Sequence, residues 1–429
     1  MQYSEVLDFL FSQLPMYQRA GKVAYKANLD NTHRLDDYFN NPHKKFKTIH
    51  VAGTNGKGSV SHCLTSVLME AGYKVGLYTS PHLKDFRERI KINGDCISED
   101  EVVDFVNEHQ GIIKEVQPSF FEMTVAMAFQ YFAKQEVDVA VIEVGLGGRL
   151  DSTNVIRPEV SVITNIGLDH TALLGDTLEL IAIEKAGVIK PDTPVVIGES
   201  NEITKPIFNE VASRNSAPIY YTDQEWDIPV AMNGVDATQV LQVYKKDKLI
   251  YADLKLDLLG VYQQKNIKTV LQTIDVIGSK GFLIGENHIY AGLKNVIRNT
   301  GLMGRWQVLG ANPAIICDTG HNVEGVSQLV EQIKQTAHKN LHIVWGMVND
   351  KDITKVLQLL PANANYYFAK PNIPRGLDAE ELNREAQKVG LQALVCTSVN
   401  DAVKKAKKNA ASNDLIFIGG STFVVAEVV

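Results

Sequence analysis

The residues able to do chemistry fall into four short stretches. The first is Gly53-Thr-Asn-Gly-Lys-Gly-Ser59, a glycine-rich turn carrying one lysine. A turn of this kind, leading into a helix, aims backbone N–H groups at a phosphate. Thr54, Asn55, Gly56, Lys57, Gly58 and Ser59 are its members. Lys57 has the length to reach β- and γ-phosphates, and the Ser59 hydroxyl could reach a magnesium ion. The match to G-x-x-x-x-G-K-[ST] is partial, because Val51 stands at its first glycine and Gly58 at its hydroxyl position. The second stretch is the apolar run Val137–Val144, which carries Glu143. A carboxylate on a strand beside a phosphate loop offers the hard oxygen that magnesium needs; a surface or helix-capping acid is the plainer alternative. The third is Asn165-Ile-Gly-Leu-Asp-His170, where His170 follows another apolar run and Asp169 is an alternative donor. The fourth is Ile181–Lys190, too apolar for a routine surface lysine at Lys185. A buried lysine must lose its charge or find a partner. Carbamylation by carbon dioxide would make it an anion able to hold a second metal, whereas a snorkelling side chain is the simple alternative.

Positioning these groups requires strands that end where they sit. Thr48–Val51 reads as a β-run feeding the glycine turn, and Val60, Cys63, Leu64, Val67, Leu68 and Ala71 follow at helical spacing. Val75–Thr79, Val137–Val144, Val160–Asn165 and Pro194–Gly198 read as further strands. Glu99–Val116, Phe121–Gln135 and Leu178–Val188 read as helices. Such alternation predicts a mostly parallel sheet covered on both faces. Residues 1–40 read as one or two helices. Val240–Tyr244 and Leu249–Leu258 alternate polar and apolar residues around Lys245–Lys248, which predicts an antiparallel hairpin. Helices follow at Tyr262–Ile277 and Glu286–Val296.

Gly and polar residues cluster at Arg298–Arg305, which reads as a hinge linker. Beyond it, strands at Ala314–Asp318, His342–Trp345, Tyr366–Ala369, Ala393–Thr397 and Leu415–Gly419 alternate with helices. The helices are Val323–Ala337, Ile353–Leu360, Ala379–Lys388 and Asp401–Ala411. The expected architecture is α/β: a P-loop domain over residues 1–297 and a smaller doubly wound, Rossmann-like domain over 306–429. Ligand groups in the second are expected at carboxyl strand ends. Asp318, in Asp318-Thr-Gly-His-Asn322, could accept from a ribose hydroxyl, or Asp318 or Asn322 could cap the next helix. Arg305 could reach a phosphate or stack on a base.

Bulk properties agree with a two-domain globular chain. The chain has 429 residues, more than one hydrophobic core usually serves. Its net charge of −7 argues against nucleic acid or an anionic membrane as partner. Lys404, Lys405, Lys407 and Lys408 fall on one helix and read as a solvated face. The four cysteines are widely spaced in apolar surroundings with no C-x-x-C pair, so buried free thiols in a reducing cytoplasm are expected. The first residues carry acids and lack the basic region of a signal peptide. No run approaches about 18 apolar residues, so no membrane span is expected.

Seven segments occur in order: GTNGKGS (53–59), TSPHL (79–83), SFFEMT (119–124), EVGLGGRLDSTN (143–154), GLDHTALLG (167–175), EKAGVIK (184–190) and YQQKN (262–266). Together they resemble folylpolyglutamate synthase and its bifunctional relative dihydrofolate synthase, Mur-ligase-like enzymes that form amides with ATP. The resemblance implies a phosphate loop at Thr54, Asn55, Gly56 and Lys57. It implies magnesium ligands at Ser80, Glu143 and His170, and a carbamylated lysine at Lys185. Asn266, Arg305, Asp318 and His321 match nucleotide-holding residues. Ser119, Phe120, Phe121 and Glu122, with Leu150, Asp151 and Ser152, match segments lining a pterin site. The family's usual D-G-A-H-N is Asp318-Thr-Gly-His-Asn322 here, and Arg149-Leu-Asp-Ser resembles the bifunctional bacterial forms.

The implied reaction joins L-glutamate to the carboxylate of a reduced folate, and of dihydropteroate, through an acyl phosphate formed from ATP. Lys57, His170 and Lys185 are its expected catalytic groups. The chain is expected to act as a monomer. Two rivals share the glycine loop: a Mur-type peptidoglycan ligase, for which residues 1–47 are short of the usual extra domain, and a P-loop NTPase serving as a regulatory module.

Overall fold

The computed structural model describes residues 1–12, 14–15, 28–229, 231–233 (backbone), 237–349 and 353–429. The chain divides into two compact units. The first comprises Met1–Asp257 and Gln263–Gly301, and the second Leu258–Tyr262 and Leu302–Val429.

The first unit is built on an eight-stranded sheet. Its strands are β1 (Lys47–Ala52), β2 (Val75–Tyr78), β3 (Ile90–Ile92), β4 (Asp95–Cys96), β5 (Val139–Glu143), β6 (Val160–Ile163), β7 (Val195–Ile197) and β8 (Ile219–Tyr221), in the order β4-β3-β2-β5-β1-β6-β7-β8. The six strands from β2 to β8 pair in parallel, while β3 and β4 pair antiparallel at one edge. Every residue of β5 is buried, as expected of a parallel strand covered on both faces. Helix Lys57–Glu70 leaves directly from the loop after β1 and is buried along Ser59–Leu68. Its polar face is immersed as well, with Ser61, His62, Thr65 and Ser66 buried beside the apolar residues.

Several boundaries differ from the sequence expectation. The helix expected over Glu99–Val116 breaks at His109 into Glu99–Glu108 and Gln110–Val116. Strand β8 and helix Thr204–Arg214 carry no signal strong enough to be read from sequence. The hairpin forms as β11 (Gln239–Lys245) and β12 (Lys248–Leu256), joined to β9 (Trp226–Asp227) and β10 (Ala231–Asn233). Its turn residues Lys246 and Asp247 both have positive φ, the twist a two-residue hairpin requires. At the amino terminus, helices Tyr3–Ser12 and Asp30–Tyr38 feed the same core as helix Phe120–Lys134. Residues 16–27 of that region lie outside the described residues. Cys63, Cys317 and Cys396 are buried, but Cys96 is exposed, a correction to the expectation for all four. Its strand is two residues long and sits at the sheet edge, so nothing covers it.

The second unit carries a six-stranded sheet of β13 (Gln307–Ala311), β14 (Ala314–Cys317), β15 (Leu341–Trp345), β16 (Asn365–Phe368), β17 (Ala393–Val395) and β18 (Leu415–Gly419), in the order β13-β14-β18-β15-β16-β17. All pairs are parallel except β13 with β14. The last strand thus inserts between the first two parallel ones. Two apolar clusters fill its faces, one around Trp306, Trp345 and Phe417 and one around Val344, Ile416 and Ile418. The segment expected as hinge is helical over Val296–Thr300, and Gly301 ends that helix with φ +66. A five-residue strap, Leu258–Tyr262, groups with the second unit although the chain around it belongs to the first. Among the described residues, no helix is long and apolar enough to cross a membrane.

Candidate active site

In the first unit, the carboxyl ends of β2, β5, β1 and β6 lie side by side, and the chemistry-bearing stretches follow these four ends. The glycine loop leaves β1 and is pinned by the segment after β6. Thr54 N–H donates to the Asn165 carbonyl at 3.0 Å, and Asn55 N–H to Asn165 Oδ1 at 2.8 Å. The Thr164 hydroxyl donates to the Asn55 carbonyl at 2.5 Å, and Thr54 Oγ1 exchanges hydrogen bonds with Gly167 at 3.2 and 3.0 Å. Two glycines are obligatory here. Gly53 (φ +145) and Gly56 (φ +86) hold left-handed backbone, and a Cβ would overlap Thr164 Oγ1 at the first and Asn266 Oδ1 at the second. Asn266 stands on helix Gln263–Gly278 and donates to Gln263 Oε1 at 2.7 Å; Gln263 Nε2 donates in turn to Ser59 Oγ at 3.1 Å. The Ser59 hydroxyl, expected to face magnesium, is instead buried and engaged by Gln263.

Two lysines converge on one carbonyl. Lys57 Nζ donates to Gly53 O at 3.0 Å and Thr54 O at 3.1 Å, and Lys185 Nζ donates to Gly53 O at 2.8 Å. Lys185 is 4% exposed on helix Leu178–Ala186. Burial pushes its pKa down to about 7, and the Lys57 charge adds to the fall against the opposing pull of Asp169 and Asp151. Near neutral pH a large share of this amine is unprotonated, the state that can attack carbon dioxide.

On the other side of the loop, Ser80 N–H donates to Glu143 Oε2 at 3.2 Å. Glu143 is 4% exposed at the end of β5, in register with Val51 of β1. His170 sits beyond β6 with φ +50 and caps the short helix Thr171–Leu174; its N–H donates to Asp169 Oδ1 at 2.8 Å. Ser80 and Glu143 are therefore brought together, and His170 follows the strand on the far side of β1. A hydroxyl, a carboxylate and an imidazole suit magnesium or manganese. Among the described residues, no three His, Cys, Asp or Glu side chains converge on one point. An ion here would take most of its ligands from phosphates and water, which is magnesium's habit.

The residues expected around a pterin divide into two kinds. Ser119 and Glu122 form a capping box for helix Phe120–Lys134, with Ser119 N–H donating to Glu122 Oε2 at 2.6 Å and Glu122 N–H to Ser119 Oγ at 3.2 Å. Asn31 Nδ2 donates to the same Glu122 oxygen at 3.3 Å. Phe120 is buried, stacked on Phe11 at 5.5 Å. Phe121 is half-buried and its ring fills the space a Cβ on Gly145 would need. Leu150 is half-buried and Ser152 buried. The Asp151 carboxylate accepts from Leu146 N–H at 2.8 Å, Thr153 N–H at 3.0 Å and the Thr153 hydroxyl at 2.5 Å. One residue here escapes a reading of the sequence. Arg89 is 2% exposed, donates to His82 Nδ1 at 2.8 Å and stands over the Phe120 ring at 5.0 Å. In Phe86-Arg-Glu-Arg89 it reads as part of a solvated charge run; the apolar Ile90 beside it is the signal that could have found it.

In the second unit, Asp318 ends β14 with its carboxylate 3% exposed. Oδ2 accepts from the Tyr262 hydroxyl at 2.5 Å and Trp306 N–H at 2.7 Å, and Oδ1 accepts from Gly320 N–H at 2.8 Å. Burial raises its pKa against the pull of Arg305 and these donors. Arg305 donates to the Gly304 carbonyl at 3.2 Å and to the Thr319 hydroxyl. His321 Nδ1 lies 3.0 Å from the Thr319 carbonyl oxygen. The helix cap is Asn322, whose Oδ1 accepts from Gly325 N–H at 2.8 Å. Asp318 thus ties the strap residue Tyr262 to the start of β13, a role that the strand-end position alone does not reveal.

Comparison with known proteins agrees with this architecture. The family described as Mur ligase middle domain matches residues 51–273, and that described as Mur ligase, glutamate ligase domain, matches 304–422. The chain is 32% identical over 419 residues to the dihydrofolate synthase/folylpolyglutamate synthase of Bacillus subtilis, covering 95% of each. It is 33% identical over 433 residues to a probable bifunctional folylpolyglutamate synthase/dihydropteroate synthase of Haloferax volcanii, and spans 100% of itself but only 50% of that protein. A solved bifunctional folylpolyglutamate synthase/dihydrofolate synthase from Yersinia pestis, complexed with AMPPNP and a manganese ion, superposes with a TM-score of 0.85 at 29% identity, covering 100% of this chain and 97% of that one. The chain belongs to the folylpolyglutamate synthase/dihydrofolate synthase family of Mur ligases.

Proposed function

We propose that this chain adds L-glutamate to the carboxylate of a reduced folate, and also to that of dihydropteroate, with ATP as the activating reagent. A carboxylate is a poor electrophile, so its oxygen first takes the γ-phosphoryl group of ATP, releasing ADP and leaving an acyl phosphate. The amine of glutamate then attacks the acyl carbon, and inorganic phosphate departs as the amide forms. The observation that carries the reading is the meeting of Lys57 and Lys185 at Gly53 O, just past the end of β1, the strand beside β5 whose last residue Glu143 accepts from Ser80. Lys57 and the first turn of helix Lys57–Glu70 face the transferring phosphoryl with fixed positive charge. Ser80, Glu143 and His170 are assigned as the protein ligands of magnesium, which when bound screens the phosphate oxygens. Lys185 is assigned to carbamylation: its neutral amine bonds to carbon dioxide, loses a proton and becomes a carbamate anion beside Lys57. Its pKa near 7 supports this.

Thr54, Asn55, Gly56, Gly58, Ser59 and Asn266 are assigned to the phosphate loop and its support. In the second unit, Arg305, Asp318 and His321 are assigned to the nucleotide, and residues 306–429 also to glutamate. Phe121, Leu150, Asp151 and Ser152 are assigned to the acceptor; Ser119, Phe120 and Glu122 serve it by fixing the helix that presents Phe121. We place the reaction in a reducing cytoplasm, in keeping with four free thiols. The test is ADP release from ATP by the purified chain, with and without glutamate, on a reduced folate, dihydropteroate or a UDP-muramyl acceptor. Release that needs both glutamate and a pterin acceptor is expected. Release with the UDP-muramyl acceptor would mark a peptidoglycan ligase, and release independent of glutamate a plain NTPase.

A further inference from the structure

Residue His50 sits in the middle of β1, three positions before the phosphate loop, and is fully buried. It is in register with Ile142 of β5 and Ser161 of β6. A histidine in the centre of a parallel sheet has to hydrogen-bond something. Its Nε2 lies 2.8 Å from Thr153 Oγ1, and its Nδ1 has no partner. The Thr153 hydroxyl has one proton, which goes to Asp151 Oδ1 at 2.5 Å. The hydrogen-bond direction is then fixed: His50 Nε2–H donates to Thr153, Thr153 O–H donates to Asp151, and Asp151 accepts. The other carboxylate oxygen of Asp151 holds Leu146 N–H at 2.8 Å, inside the Gly145–Gly148 turn. Burial and the nearby Lys190 hold His50 neutral, with its pKa down at about 3, so the relay does not change across the physiological range.

We propose that His50 is a positioning residue for the acceptor: through Thr153 it fixes the carboxylate of Asp151 and the turn that Asp151 holds, and so sets affinity for the pterin-bearing substrate. The inference rests on the assignment of Asp151 to the acceptor. It separates two neighbouring segments of the chain, since Gly53–Lys57, just past β1, are assigned to phosphate while His50 on β1 answers to a different substrate. An imidazole that only filled space would show no such division.

Steady-state kinetics with dihydropteroate, ATP and glutamate varied in turn test this. In His50→Leu the donor to Thr153 is gone; KM for the acceptor rises about tenfold, the size of one lost buried hydrogen bond, while KM for ATP stays within about twofold. His50→Gln places an amide N–H where Nε2 stood and returns acceptor KM to within about threefold of the parent. Thr153→Val keeps shape, removes the relay hydroxyl and reproduces the His50→Leu effect, so it carries the test if the first variant does not fold. Adding the two changes together gives no more than either alone. Equal rises in KM for ATP and acceptor, failure of glutamine to restore, or an unchanged acceptor KM in Thr153→Val each overturn the proposal. Absence of glutamate-dependent turnover in the unaltered chain would instead defeat the ligase assignment.

Discussion

Replacing Lys185 by methionine should make the protein more stable and inactive at once. The amine is 4% exposed and its pKa lies at about 7, against 10.5 for an exposed lysine. The folded pKa is therefore below the unfolded one. Between pH 7 and 10.5 the unfolded chain holds a proton that the folded chain has released, so folding is penalised there. The penalty is fully present below about pH 7 and fades as pH rises towards 10.5. A tenfold change in proton affinity is worth about 1.4 kcal/mol, so the whole is about 4 kcal/mol at pH 7. Methionine fills a similar volume without a charge, and loses only the hydrogen bond to Gly53 O, about 1 kcal/mol. The variant should then gain on the order of 3 kcal/mol at pH 7, an advantage that shrinks by up to about 1.4 kcal/mol per pH unit towards pH 10. Urea unfolding of both proteins in carbon-dioxide-free buffer at pH 7, 8, 9 and 10 measures it. A variant less stable at pH 7, or a difference that ignores pH, would refute the idea of an amine poised near neutrality.

Other consequences are equally direct. Lys57→Ala should lower kcat by at least about a thousandfold without lowering the unfolding midpoint, since the side chain bonds to carbonyls of its own loop and its charge opposes that of buried Lys185; ADP release at the normal rate would contradict it. Gly56→Ala places a methyl group against Asn266 Oδ1 on a backbone with φ +86, so ATP binding by calorimetry should be lost in a chain with an unchanged circular dichroism spectrum. Tyr262→Phe removes one donor from the buried Asp318 carboxylate and should destabilise the second unit by about 1–3 kcal/mol, seen as faster hydrogen exchange in β13 and β14.

The fold is legible in the sequence where spacing alone enforces geometry. Glycines at 53 and 56 have to be glycines because of what faces them, and an apolar run before them has to be a strand. The same holds for β5, whose five residues are all buried and so cannot alternate. The five parallel strands of the second unit are likewise announced by short apolar runs rich in β-branched or aromatic residues. What stays hidden depends on partners far away in the chain. Strand β18 slips between β14 and β15, an order no local pattern encodes. Strand β13 is irregular between Val308 and Gly310, which blurs its alternation. The strap Leu258–Tyr262 falls between an expected strand and an expected helix, and its bonds to Asp318 and Gln332 show where it belongs. His50 and Arg89 escape notice for opposite reasons: one looks like strand filler, the other like surface charge. Asp318 and Ser59 stand out in the sequence as polar groups at telling positions, but their hydrogen bonds go to Tyr262 and Gln263.

Activation of a carboxylate by phosphoryl transfer is the step on which the rest depends, and an oxygen label follows it directly. With dihydropteroate carrying oxygen-18 in its carboxylate, one labelled oxygen should appear in inorganic phosphate for each amide formed. Phosphate free of label, while amide and ADP accumulate, would contradict an acyl phosphate on this chain.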